Sequence, residues 1–129
     1  MLMVTWSDRQ STYEQFLSDE EVIQLAEDLH IKRPEPPPIL EVWEQDSRRS
    51  LGVGLGREES VLTYQDSLDP PYYASIGDVA RDGTYWFYYG QEATEYPAQN
   101  LIPADIALAA LREFVRVRRR PENVRWEQL

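Results

Sequence analysis

The chain predicts an α+β fold, an antiparallel sheet of about five to six strands with two helices packed on one face. Three observations carry this expectation. A capped amphipathic segment lies near the N-terminus and a proline-started one near the C-terminus. Between them, short alternating apolar runs follow one another as in a meander. At 129 residues the chain reads as one domain, 1–129, long enough to bury roughly two-thirds of its unfolded surface.

Met1 to Trp6 opens with the strand formers Val4, Thr5 and Trp6. Ser18-Asp19-Glu20-Glu21 is a capping box, with Glu21 spaced to reach back to the Ser18 amide. Val22, Ile23, Leu25, Ala26 and Leu29 then recur at helical spacing and give one apolar face. Pro34-Glu35-Pro36-Pro37-Pro38 cannot extend that helix and favours an extended, rigid connector to the next strand. A proline-rich adaptor ligand is the other reading of these residues.

Ile39 to Glu44 and Ser50 to Leu55 form a hairpin joined by polar Gln45 to Arg49. Leu51, Val53 and Leu55 share one face of the second strand. Gly52 and Gly54 leave the other face open to the close approach of a backbone or a large side chain. Ser60 to Tyr64, Tyr72 to Ile76 and Thr84 to Tyr89 complete the expected meander. The final helix starts at Pro103, with Ile106, Ala109, Ala110, Phe114 and Val117 as its buried stripe. Arg112, Arg116 and Arg119 fall toward its other face, near the negative end of the helix dipole.

Composition bounds the function. The formal net charge is −10, and it is unevenly spread. Residues 1–111 hold 20 acidic and 7 basic side chains, whereas residues 112–129 hold 3 acidic and 6 basic. So acidic a chain is repelled by phosphate backbones, which argues against direct nucleic-acid binding, and its field attracts a basic partner. Solubility alone also accounts for excess acid. Cysteine is absent, so no disulfide framework, thiolate nucleophile or Cys-based metal site exists. Met1 to Trp6 has neither the basic stretch nor the apolar core of an export signal, and no run of eighteen apolar residues occurs. These points predict a cytoplasmic protein that does not engage a membrane.

No catalytic set can be assembled. The single histidine, His30, sits at the end of the first helix beside Lys32 and Arg33, a surface or dipole-partner position rather than that of a general base. With one His and no Cys, only an all-carboxylate metal cage remains, and no loop has the calcium-binding pattern. Gly52-Val53-Gly54-Leu55-Gly56 lacks the spacing and the Lys-Ser/Thr of a phosphate-binding loop. The expectation is a binder with no cofactor, no metal and no enzyme activity.

The candidate binding residues are carboxylates in turns, interleaved with tyrosines. Asp66, Asp69, Asp78 and Asp82 bracket the strand Tyr72 to Ile76, and Glu92 and Glu95 follow the aromatic strand. Tyr72, Tyr73, Tyr85 and Tyr96 lie among them. Paired carboxylates also serve glycoside hydrolysis, but nothing here supplies a sugar groove. Clustered at one end of the sheet, the ten would make a surface that docks and anchors a basic partner. Core packing claims about half of the aromatics, since alternate strand residues face inward.

The C-terminal third, roughly residues 84–128, resembles the bacterial immunity proteins conventionally numbered one among those of polymorphic toxin systems. The resemblance rests on Tyr89-Gly90, Ile102-Pro103, Leu111-Arg112-Glu113-Phe114 and Arg120-Pro121 followed by Val124 and Trp126, in that order and spacing. Members often carry Thr-Gly before the Arg-Pro step, where glycine can end a helix in the left-handed conformation. This chain has Val117-Arg118, so its helix is expected to run further or end differently. The resemblance implies a cytoplasmic antitoxin, monomeric when free, that binds a cognate, basic, deaminase-fold toxin and blocks its zinc-bearing pocket. Pro121 and Trp126 read as structural, the first stopping the helix and the second packing on the sheet. A small acidic secretion chaperone or adaptor is the reading from another class.

Overall fold

The computed structural model describes residues 1–129. Seven strands form one sheet: β1 (Leu2–Ser7), β2 (Thr12–Leu17), β3 (Ile39–Glu44), β4 (Ser50–Gly54), β6 (Leu62–Gln65), β7 (Tyr72–Ile76) and β11 (Arg125–Gln128). Their order is β11-β7-β6-β4-β3-β1-β2, and every pairing is antiparallel. Helices α1 (Asp19–Lys32) and α2 (Ala104–Val117) cover one face, so the α+β class and the helix placement hold. The strand count exceeds the expected five to six because the sheet gains β2 and β11 at its edges.

The eighth strand, β8 (Thr84–Tyr89), is not the meander's last member. It pairs with β9 (Glu92–Pro97) as a separate hairpin whose turn holds Gly90 at φ 60°. That is a conformation glycine adopts without steric cost. The hairpin lies across the sheet face opposite the helices. Phe87, Ile39, Val61, Ala98 and Leu101 make a second, smaller core there. Short strands β5 (Glu59–Ser60) and β10 (Ile102–Pro103) pair beside it. Gly77 donates its N–H to the Gln99 carbonyl at 2.8 Å, and Asn100 and Ser75 exchange two buried hydrogen bonds of 2.8 Å, tying the descent from β9 to β7.

α1 begins at the predicted capping box, with both reciprocal hydrogen bonds between Ser18 and Glu21 present. It buries Val22, Ala26 and Leu29. The prolines act as a connector: Pro36, Pro37 and Pro38 are buried, Pro37 accepts from Tyr88 N at 2.7 Å, and Pro38 accepts from Leu55 N at 2.9 Å. α2 is shifted from expectation. Its first helical residue is Ala104, and it buries Ala104, Ala107, Ala110, Leu111, Phe114 and Val115, while Ile106 stays 38% exposed. The sheet below lies against Ala107 and Leu111 instead of Ile106 and Ala109, a rotation of about one residue around the helix axis.

α2 stops at Arg118, before Pro121 can act. Arg118 takes the left-handed conformation at φ 57° and its N–H caps the Phe114 carbonyl. A β-carbon makes that conformation cost of order 1 kcal/mol. The side chain offsets it by bridging Asp19 at 2.8 Å and Glu44 at 3.5 Å and donating to the Val115 carbonyl. Arginine therefore performs the glycine's role by tying the helix end to α1 and β3.

Candidate partner-binding surfaces

The ten candidate carboxylates and tyrosines do not converge on one end of the sheet. Asp66 and Asp69 lie in the β6–β7 turn, with Tyr72 and Tyr73 starting β7. Asp78 and Asp82 follow the opposite end of β7, about 13 Å away along an extended strand of this length. Tyr85, Glu92, Glu95 and Tyr96 belong to the β8–β9 hairpin. Two surfaces result where one was expected, because the strand that the acids bracket is also the strand that separates them.

Several members are committed to packing. Asp66 accepts the Tyr64 hydroxyl at 2.8 Å and pairs with Arg49 Nε at 3.5 Å. Tyr73 lies under the Arg120 guanidinium, 4.2 Å from the ring centre. Tyr96 packs edge-on against Phe87, and burial pushes its hydroxyl up to about 12, with the Glu41 charge adding to the shift. Asp69, Asp78, Asp82, Glu92 and Glu95 are exposed and form no ion pair. Tyr85 is exposed with Arg81 over its ring, and Tyr72 is exposed with its hydroxyl donated to the Leu68 carbonyl.

Strand composition explains the field of this side of the molecule. The ten strands β1 to β10 contain no lysine or arginine, yet hold Glu14, Glu41, Glu44, Glu59, Glu92 and Glu95. Of these six, only Glu44 and Glu59 meet an arginine. Glu41 instead accepts the Tyr89 hydroxyl at 2.7 Å. Desolvation raises the Glu41 carboxyl above the usual range, and the tyrosine hydrogen bond partly restores it. On the helix side Arg49, Arg116, Arg119 and Arg120 line a cleft of about 710 Å³ with Tyr73 and Trp126. Arginines also reach the hairpin from the loops, Arg57 over Trp86 and Phe87 and Arg81 over Tyr85, so the absence of basic residues is a property of the strands themselves.

The sheet face left bare beside the hairpin was not foreseen. Register places Phe16, Met3 and Trp43 in a row across β2, β1 and β3, around a shallow hollow of about 180 Å³. Its signal lay in Thr12-Tyr13-Glu14-Gln15-Phe16-Leu17, which as an edge strand is almost wholly exposed and therefore shows no burial alternation.

His30 has a structural task. Its Nδ1 accepts the Gly56 N–H at 3.1 Å, which joins the end of α1 to the turn after β4. Burial, and then the nearby Arg33 charge, lowers its pKa, so the neutral ring is the form the fold uses. The side chain serves as an acceptor rather than a cationic dipole partner. No three His, Cys, Asp or Glu side chains converge as a metal-binding group, and no helix is long and apolar enough to cross a membrane.

No curated protein matches the chain. The family model described as Immunity protein Imm1 matches residues 10–128, which extends the likeness seen in the C-terminal third to nearly the whole fold. The match spans well over half of the chain and both helices with all of the sheet but β1, so the chain belongs to the Imm1 family of immunity proteins.

Proposed function

We propose that this protein is the antitoxin of a secreted nucleic-acid deaminase and that it acts by occluding the toxin's active-site groove in the cytoplasm. Family membership implies a cognate toxin as partner. The deaminase class follows from the resemblance of the C-terminal third together with one observation on charge. The strand-built side carries Glu14, Glu41, Glu92 and Glu95 with no arginine partner for any of them. A deaminase that works on nucleic acid presents a basic approach to its pocket. An acidic face of this kind competes with the substrate's phosphates for that approach.

Inhibition by occlusion requires one antitoxin per toxin. Titrating the purified cognate toxin domain should abolish deamination at a 1:1 ratio, with both masses unchanged in the complex. Inactivation by sub-stoichiometric amounts would overturn occlusion, since that requires turnover. A toxin with another chemistry would overturn the deaminase assignment while leaving the immunity role intact.

A further inference from the structure

The register of the large sheet sets two rows side by side on the face opposite the helices. One row runs Phe16–Met3–Trp43–Ser50–Gln65–Tyr72 across β2, β1, β3, β4, β6 and β7. The adjacent row, two residues along each strand, runs Glu14–Thr5–Glu41–Gly52–Thr63–Ala74. The β8–β9 hairpin covers the far side of this face, where Phe87 lies on Gly54. It reaches the second row through Tyr89 and Glu41 and leaves the Phe16–Met3–Trp43 end of the first row bare, whereas Ser50 farther along that row is buried. Phe16 is 51% exposed there, and Met3 and Trp43 are only partly covered.

Resting on the antitoxin reading, we propose that this bare half-face seats a basic, arginine-bearing segment of the toxin. Three features fix the chemistry of the occupant. Phe16, Met3 and Trp43 provide an apolar floor, and the faces of Phe16 and Trp43 attract a guanidinium. Glu14 stands one row away on the same strand as Phe16, exposed and unpaired, so it can accept from that guanidinium. Gln45 and Arg48 complete the lining of the hollow, so the occupant's guanidinium is placed on the Glu14 side, away from Arg48. A second copy of this chain is the wrong occupant. Pairing the face with itself would bring Glu14 and Glu41 against their own equivalents in a molecule of net charge −10.

The hairpin next door extends the acid with Glu92 and Glu95, so steering and anchoring fall on neighbouring elements. Occupying the hollow would give the toxin an apolar anchor flanked by Glu14, the arrangement in which a few residues carry most of the binding.

The test uses the full chain and its cognate toxin domain, inactivated at its catalytic glutamate, with affinity measured by calorimetry. Phe16→Ser and Glu14→Lys both alter exposed edge-strand positions, so melting curves are expected to stay close to wild type. Each should weaken binding at least tenfold, and Ile106→Ser on the helix side should leave it unchanged. If the wild type binds and both edge variants bind equally well, the docking surface is overturned while the antitoxin reading stands. If the wild type forms no complex, both fall together. If Phe16→Ser melts early, Glu14→Lys alone decides, because it removes no packing.

Discussion

Phe87 lays its ring on the backbone of Gly54, so close that a β-carbon at residue 54 would sit 2.7 Å from the ring edge. The glycine is the condition for the hairpin's position. Phe87 is fully buried between Ile39, Val61, Ala98 and Leu101 and cannot retreat. Gly54→Ala is therefore expected to cost about 1–3 kcal/mol by overpacking. Thermal melting would register this as a drop of several degrees. An unchanged melting temperature would mean that the hairpin is not docked as described.

His30 gives stability a pH dependence of predictable sign. Its folded pKa lies below the ordinary 6.5 because burial, and then Arg33, disfavour the cation. Between the lowered value and 6.5 the unfolded chain binds more protons than the folded one, so stability is complete above 6.5 and lost as pH falls through this window. Glu41 works oppositely, since its raised folded pKa means that the folded state gains as acid is added. His30→Asn keeps an oxygen acceptor for Gly56 without the titration. The difference in melting temperature between wild type and this variant should widen against the wild type from pH 7.5 to 5.5, and a constant difference would rule the mechanism out.

The two helices were legible because their signals are local: a capping box, a proline start and apolar residues at helical spacing. Strands β3, β4, β6 and β7 were legible for the same reason, and the glycine face of β4 even announced a bulky visitor. Partnership was not legible. Tyr85 to Tyr89 reads as a strand in any sheet, and only the Gly90 turn and the acidic run of β9 commit it to a hairpin on the second face. β2 is not legible because an edge strand exposed along its length has no alternation, and β11 because four residues around Trp126 are too few to show a period. The candidate acids do lie in turns, but the strand they bracket holds Asp66 and Asp69 at one end and Asp78 and Asp82 at the other, so they cannot share one surface.

Trp126 holds the C-terminal strand to the core. Its Nε1 donates to the Pro121 carbonyl at 2.8 Å, and its ring meets Tyr64 at 6.0 Å between centres. Tyr64 in turn packs edge-on against Phe114 of α2. Trp126→Ala should cost about 3 kcal/mol, the low end for removing a large aromatic because the residue is only half-buried. Denaturant unfolding would measure this loss. Toxin affinity at a temperature where the variant is folded should match wild type; a large loss would move the binding surface toward β11.

Charge on the hairpin should govern how fast the toxin arrives. Glu92 and Glu95 are exposed and form no ion pair, although Arg57 lies over Trp86, the cross-strand neighbour of Glu95. Carboxylates of this kind act through their long-range field, which salt screens within about 8 Å at physiological ionic strength. The double variant Glu92→Lys, Glu95→Lys is therefore expected to slow association several-fold at about 50 mM salt. The deficit should shrink toward zero near 1 M, where the screening length falls to about 3 Å. Dissociation should change less, because exposed rim charges contribute little once the complex has formed. Stopped-flow mixing at both salt concentrations separates the two rates. Equal association rates for wild type and variant at low salt would mean that the hairpin acids serve solubility alone. A dissociation rate raised more than association is slowed would place Glu92 or Glu95 inside the contact, on desolvated hydrogen bonds to the toxin.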